Sequence, residues 1–288
     1  MFAIIVWGTS FVSTKVLIDN GLHAVEIYIY RFLLAYLLIL AFCHKKFMSN
    51  NWRDEFLFLV TGLCGGSIYF IAENTALNYT LVSNVSLITT LAPLLTTLLI
   101  GMLYKTERPG RWIYVGSLIA LVGVACIIFK NGFNLKVMPL GDLLALSAAF
   151  SWAIYSVVLR KVNANYSAMF ITRKTFFYGL LTALPFLAAE PEICPVDVLM
   201  RPIVASNILF LGLTASLIAY LIWAQTVKKL GAVKASNYLY FQPIVTMIFS
   251  AIVFDNDPIT IIGCAGCALI IGGIWLGDYM SRRNSMNK

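Results

Sequence analysis

Three ionisable side chains, Lys15, Arg31 and Glu73, lie inside long apolar stretches of the sequence. A charge at the centre of a hydrocarbon layer costs about 2.5 to 3.5 kcal/mol even on a lenient scale, so each needs a partner, a wet cavity or a route to the surface. Counted at about 1.5 Å per residue, Lys15 lies roughly 5 Å, Arg31 about 11 Å and Glu73 about 6 Å below the same side of the layer. Two cations and one carboxylate thus reach similar depth, which suggests a paired cluster. Lys15 either joins it or extends its flexible stem to the interface. Arg31 is deeper, and either pairs with a carboxylate or binds an anionic group of a substrate. For Glu73 the alternatives are a structural salt bridge to Arg31 or Lys15, and a proton-coupling or amine-binding site. Coupling would require the partner cation to move away during a cycle.

Aromatic and polar residues share these stretches. Trp7, Tyr69, Trp152, Tyr155, Tyr220, Trp223, Tyr238 and Tyr240 recur on them, with Ser10, Asn74, Asn84, Ser86, Gln225 and Gln242 as polar companions. Aromatic residues at the ends of a span usually mark the membrane interface. Trp7, Trp152, Tyr155, Tyr220 and Trp223 sit nearer the middle, where they suit the wall of a binding cavity. Pro93 and Pro243 fall in the middle of two stretches, each removing a backbone hydrogen bond and crowding the carbonyl four residues earlier, at Thr89 and Leu239. Paired kinks suit a gating hinge.

Other polar groups have simpler explanations. Glu26 and Asp142 stand near helix starts, where a carboxylate favours the N-terminal dipole. Lys174 is expected to snorkel to the nearer interface. Gly116, Gly123, Gly266 and Gly273 recur at a seven-residue interval, as close helix packing requires. Cys264 and Cys267 have CxxC spacing on an apolar helix with no His or further Cys nearby, so no metal site and no cofactor is expected.

The elements that position these groups follow from composition. Hydrophobic residues make up 60% of the 288 and charged residues 12%, against roughly 45 to 50% and about 25% in soluble domains. The apolar residues gather into ten runs, at 1–18, 24–43, 56–77, 83–103, 112–129, 141–160, 168–188, 203–225, 235–254 and 259–277. An all-α integral membrane protein of ten transmembrane helices is expected, with the lipid bilayer as its solvent. Residues 1–18 lack a basic n-region and a cleavage site, and read as a first span. The formal charge of +8 has no basic face with interleaved aromatics, so no nucleic-acid partner is expected.

Of the 21 Lys and Arg residues, 14 fall in one set of loops, 3 in the other and 4 within spans. Cytoplasmic loops retain such residues, which places both termini inside. Five spans precede the middle loop and five follow. An offset of 145 aligns Trp7 with Trp152 and Lys15 with Arg160; an offset of 150 aligns Ser86 with Ser236, Pro93 with Pro243, Glu107 with Asp257, Gly116 with Gly266 and Gly123 with Gly273. An odd span number makes the second half enter upside down, giving two inverted five-helix repeats, 1–130 and 141–277, and a basic tail, 278–288.

Trp7-Gly8-Thr9-Ser10-Phe11 with Lys15 resembles the opening of EamA-type members of the drug/metabolite transporter superfamily. Ala76-Leu77-Asn78-Tyr79-Thr80, then Ser83-Asn84-Val85-Ser86-Leu87 and Pro93, is similar to that family's third and fourth helices. Gly141-Asp142-Leu143-Leu144-Ala145-Leu146 through Ser151-Trp152-Ala153 resembles the start of its second repeat. The resemblance implies a cavity lined by spans one, three, four, six, eight and nine, open alternately to each side. It also implies export of small metabolites or amino acids from the cell through the plasma (inner) membrane. A monomer or weak homodimer is expected. The rival classes are a non-transporting receptor or assembly protein and a membrane-embedded enzyme. The sequence contains no GxxxxGK[ST], HExxH or GxSxG, and its two histidines, His23 and His44, stand at loop edges. It is therefore not expected to be an enzyme.

Overall fold

In hydrocarbon a backbone must bond its own N–H and C=O groups, and helices do so within one segment. In the computed structural model every regular element among the described residues is helical. Those residues are 1–44, 47–76, 79–80, 82–104, 108–129, 138–189, 193–253 and 260–286. The loop residues Lys45, Lys46, Lys105, Glu107, Lys130, Lys136, Glu190, Glu192, Asp255 and Asp257, used in the orientation and repeat readings, lie outside them, as do the side chains of Lys15 and Asn84.

The elements are α1 (Phe2–Asp19), α2 (Ala24–Phe42), α3 (Trp52–Gly62), α4 (Ile68–Ala76), α5 (Val82–Thr89), α6 (Ala92–Leu103), α7 (Arg111–Ile128), α8 (Pro139–Val162) and α9 (Ala168–Ala188). They continue with α10 (Val196–Leu199), α11 (Pro202–Leu209), α12 (Ala219–Leu230), α13 (Ala232–Asn237), α14 (Gln242–Val253) and α15 (Ile261–Met286). A π-helical segment, Leu63–Ser67, joins α3 to α4, and a second, Phe210–Ile218, joins α11 to α12. A 3₁₀ turn, Tyr238–Phe241, joins α13 to α14.

Local chemistry sets the boundaries. Glu26 closes a capping box on α2, accepting from His23 N at 2.9 Å, and its other oxygen takes Cys194 N at 2.6 Å. Asn51 caps α3 through Asp54 N, and Ser167 caps α9 through Phe170 N. Asp142, in the first turn of α8, accepts from Met138 N at 2.9 Å and from the Thr80 hydroxyl at 2.7 Å. Pro93, Pro139 and Pro202 all stand in first turns, where a missing N–H removes no helix bond.

Among the described residues eight helices are long and apolar enough to cross a membrane. Two of the ten expected runs fall short of that measure for visible reasons. α9 carries Arg173 and Lys174, and the run 235–254 is divided into α13, the 3₁₀ turn and α14. The fourth run is also broken. α5 ends at Thr89 and α6 restarts at Ala92, so Pro93 opens a new helix and does not kink a continuous one. Pro243 occupies the same place after the 3₁₀ turn, one residue into α14.

The main core gathers α1, α2, α3, α8, α9, α12 and both π segments; Leu17, Phe32, Phe58, Leu159, Phe176 and Tyr220 are among its fully buried side chains. A second, smaller core joins α7, α14 and α15 around Ala120, Val124, Met247 and Ile270. α7 and α15 approach backbone to backbone there. A Cβ on Gly123 would lie 2.6 Å from the Gly266 carbonyl oxygen, and one on Gly273 equally close to that of Gly116. The seven-residue glycine interval thus does what its spacing implies.

Candidate functional site

Six of the aromatic residues singled out by position converge. The Trp7 ring stands 5.5 Å from Trp152, 5.8 Å from Tyr220 and 5.4 Å from Trp223, centroid to centroid. Trp152 in turn lies 5.1 Å from Tyr69, 5.1 Å from Tyr155 and 6.1 Å from Trp223. Most pairs are edge-on or tilted, the arrangement that ring quadrupoles favour. Five separate elements, α1, α4, α8, the Phe210–Ile218 segment's continuation α12, and α2 through Phe32, supply this cage.

The two π segments hold it in place. A π turn displaces backbone carbonyls from the α-helical ladder, so that they can accept from elsewhere. The Tyr220 hydroxyl donates to Gly65 O at 2.6 Å and Ser151 Oγ to Cys64 O at 3.0 Å, both in the first π segment. The Trp7 indole donates to Ala215 O at 2.9 Å, in the second. Arg31 Nε donates to Ser216 Oγ at 2.8 Å, one residue further on. Space is made by glycine. A Cβ on Gly65 would come within 2.7 Å of the Tyr155 ring, and on Gly66 or Gly179 within 2.7 or 2.5 Å of the Tyr28 hydroxyl.

Arg31 and Glu73 are both buried, at 5% and 8% exposure. They make no direct ion pair. The guanidinium instead lies 5.1 Å from the Phe70 ring and 5.8 Å from Phe32, besides its bond to Ser216. Glu73 accepts from the Tyr69 hydroxyl at 3.0 Å, one helical turn away. Both charges thus touch the aromatic cluster or its neighbours, Arg31 through Phe32 and Phe70 and Glu73 through Tyr69. Two further donors in the cage, the indole N–H groups of Trp152 and Trp223, are buried without a partner among the described residues, as is the Tyr28 hydroxyl.

The remaining candidates are more scattered. Ser10 bonds back to Trp7 O at 2.9 Å, within α1. Asn74 is half-buried on α4 beside Glu73. Ser86 offers its carbonyl to the Thr90 hydroxyl at 2.7 Å, next to the α5–α6 break. Tyr238 stacks on Phe241. Gln242 opens α14, and Thr246 of the next turn donates to Gly8 O at 3.0 Å, so this end of α14 is fastened to α1 one residue past Trp7.

One charged cluster was not legible. Lys174 does not snorkel: it is 4% exposed and pairs with Glu55, itself 6% exposed. Tyr178, one turn along α9, also donates to Glu55, whose second oxygen takes Ser49 N at 2.9 Å. Alongside, Tyr166 donates to Asp54 at 2.6 Å, and Arg173 donates to the carbonyls of Cys43 and Phe47. The reason is a boundary: α3 begins at Trp52, four residues before the expected span, which brings Glu55 into the bundle as the partner Lys174 needs. The cluster joins the start of α3 to α9. Ser216, Gly65 and the rings of Phe32 and Phe70 were also missed; the Gly65-Gly66 pair inside an apolar run was the available signal.

Comparison with known proteins gives the family. The model of the EamA-like transporter family matches twice, over residues 1–129 and 139–277. An uncharacterized transporter of Archaeoglobus fulgidus is 26% identical over 94% of this chain and 93% of its own length. A protein of Salmonella typhimurium named as a probable amino-acid metabolite efflux pump is 24% identical over 97% of this chain and 93% of its own. A solved crystal structure superposes with a TM-score of 0.79 at 21% identity, covering 98% of this chain and 96% of that one, which is a likeness of fold. With the family matched over nearly every residue, the chain belongs to the EamA-like transporter family and is a multi-pass membrane transporter.

Proposed function

We propose that this protein exports small metabolites, amino-acid-like molecules among them, by alternating access through the aromatic cage. The observation that carries the reading is the cage itself. Trp7 and Tyr69 come from one matched stretch, Trp152, Tyr220 and Trp223 from the other, and rocking of two halves opens such a site to one side at a time. Its unpartnered indole donors suit the acceptor oxygens of a ligand, and Arg31 adds a fixed positive charge. The names of the efflux pumps among its relatives support the direction and the substrate class.

In this reading the chain forms ten membrane helices in two inverted five-helix halves, residues 1–130 and 141–277. Both termini are cytoplasmic in the plasma (inner) membrane, and the Glu55–Lys174 latch shuts the cytoplasmic side. The pairing of two helix breaks ahead of Pro93 and Pro243 with two π segments supports the repeat. Glu73 is the proton-coupling residue of the cycle, with Tyr69 as its relay.

Proteoliposomes loaded with labelled amino acids and metabolites test the proposal. Flux that depends on the protein, speeds up with an imposed pH gradient, and loses that response in Glu73→Gln is the expected result. Flux whose pH response is the same in Glu73→Gln removes the coupling role. Absence of flux across a broad panel removes the transport mechanism proposed for the cage.

A further inference from the structure

A buried cation and a buried carboxylate ordinarily close on each other, because charges attract far more strongly in a low-dielectric interior than in water. Arg31 and Glu73 do not. Among the described residues the Arg31 guanidinium makes one hydrogen bond, from Nε to Ser216 Oγ, and its two terminal amino groups have no acceptor. Glu73 receives one donor, the Tyr69 hydroxyl on Oε1, and its second oxygen has none among those residues. Exposures of 5% and 8% leave bulk water little room to complete either set.

The two groups border the same rings. The guanidinium lies 5.1 Å from the Phe70 ring, Phe70 lies 5.1 Å from Tyr69, and Tyr69 reaches Glu73. Phe70 and Glu73 are three residues apart on α4, a spacing that sets Cβ atoms about 5 to 6 Å from each other. One small molecule can therefore touch both charges. Beyond them the rings continue into the cage, from Tyr69 to Trp152 at 5.1 Å and from Phe32 to Tyr220 at 5.7 Å.

Three kinds of ligand fit this arrangement poorly. An anion satisfies Arg31 and is repelled by an ionised Glu73, and a cation meets the reverse. An uncharged molecule leaves both ions unpaired, which is costly at this depth. A molecule with a carboxylate and an ammonium on one carbon satisfies both at once, through charge-assisted bonds of about 2.7 to 2.9 Å. The terminal amino groups of Arg31 also offer the fork that a carboxylate matches.

We propose that Arg31 and Glu73 together form the receptor for an amino-acid zwitterion, Arg31 taking the α-carboxylate and Glu73 the α-ammonium, with an apolar side chain directed into the rings. This rests on the cage as the transport site, and narrows its cargo from small metabolites in general to neutral α-amino acids. It is separate from whether Glu73 also exchanges a proton.

The test is calorimetric titration of the purified full-length protein in detergent, with no gradient. L-leucine is compared with 4-methylpentanoate, which lacks the amine, and with 3-methylbutylamine, which lacks the carboxylate. L-phenylalanine, 3-phenylpropionate and 2-phenylethylamine repeat the series with a larger side chain. In at least one series the amino acid is expected to bind about ten- to a hundredfold more tightly than both analogues. Glu73→Gln should abolish the advantage over the deaminated acid, whose own binding stays the same or tightens. Arg31→Gln should abolish the advantage over the amine, with the amine likewise unharmed. A loss shared equally by all three ligands in either variant marks a structural role and overturns the receptor, as does an amino acid that binds no better than its analogues or not at all. Should these variants fail to fold, Arg31→Lys is expected to weaken the amino acid and the acid about tenfold and spare the amine, and Glu73→Asp to weaken the amino acid and the amine and spare the acid; equal weakening again overturns the receptor. Protein-dependent flux without a zwitterion preference removes the receptor and leaves transport, whereas the preference without flux removes transport and leaves the receptor.

Discussion

The Tyr220 hydroxyl donates to the carbonyl oxygen of Gly65 at 2.6 Å, joining the helix after one π segment to the backbone of the other. The bond crosses 155 residues of sequence and ends on an atom that a regular α-helix would have used for itself. Tyr220→Phe keeps the ring and strands that carbonyl. Stability is expected to drop by about 1 to 3 kcal/mol in thermal unfolding, and flux by more than the loss of folded protein explains. Unchanged melting would mean that the π turn satisfies itself.

The three tryptophans of the cage differ in what their N–H groups do, and this gives a contrast. Trp7 donates to Ala215 O, whereas Trp152 and Trp223 have no partner among the described residues. Trp7→Phe should lower the melting temperature. Trp152→Phe and Trp223→Phe should leave melting nearly unchanged and raise the KM for transport about tenfold with little change in maximal rate, because a substrate bond is lost from ground and transition states alike. The reverse pattern would place the substrate elsewhere.

Breaking the Lys174–Glu55 pair leaves a buried charge alone. Lys174→Met or Glu55→Gln by itself is expected to cost about 3 to 5 kcal/mol, and Lys174→Met with Glu55→Met together should recover most of it. The double variant should also admit a membrane-impermeant thiol reagent to a cysteine placed just inside the latch. If singles and double melt alike, the pair carries little energy and is no gate.

Pro93 begins α6 after the break at Thr90 and Leu91. Pro93→Ala restores an N–H that can extend the helix backwards through the break, stiffening the joint. Transport is expected to slow several-fold with folded yield little changed. Equal losses of flux and of folded protein would reduce the proline to a packing role.

Most spans could be read from hydropathy because a bilayer imposes a single length rule on all of them. The exceptions are where side chains or special backbone override it. Arg173 and Lys174 lower the apolarity of α9 because Glu55 and backbone carbonyls receive them, and a partner contributed by another helix has no trace in local sequence. The cage was legible as a set, through Trp7, Trp152, Tyr155, Tyr220 and Trp223, because mid-span aromatics in apolar runs have few other uses. Its supports were not. A π segment has no residue signature beyond small side chains such as Gly65 and Gly66, and its effect is exerted by carbonyls that every residue possesses. Arg31 shows the same limit: its depth marked it as needing a carboxylate or an anionic substrate group, and the hydroxyl and rings that surround it left no trace in the sequence.

The glycine contact of α7 with α15 has a mechanical meaning. Carbonyl oxygens there sit where a methyl group would have to go, at Gly123 against Gly266 and at Gly273 against Gly116, so neither helix can slide along the other without lifting off. Ile127 and Ile270 pack across the same seam beside the glycines. A bundle whose remaining helices carry two π turns and two breaks thus contains one stiff pair: a stator, against which the hinged parts can push.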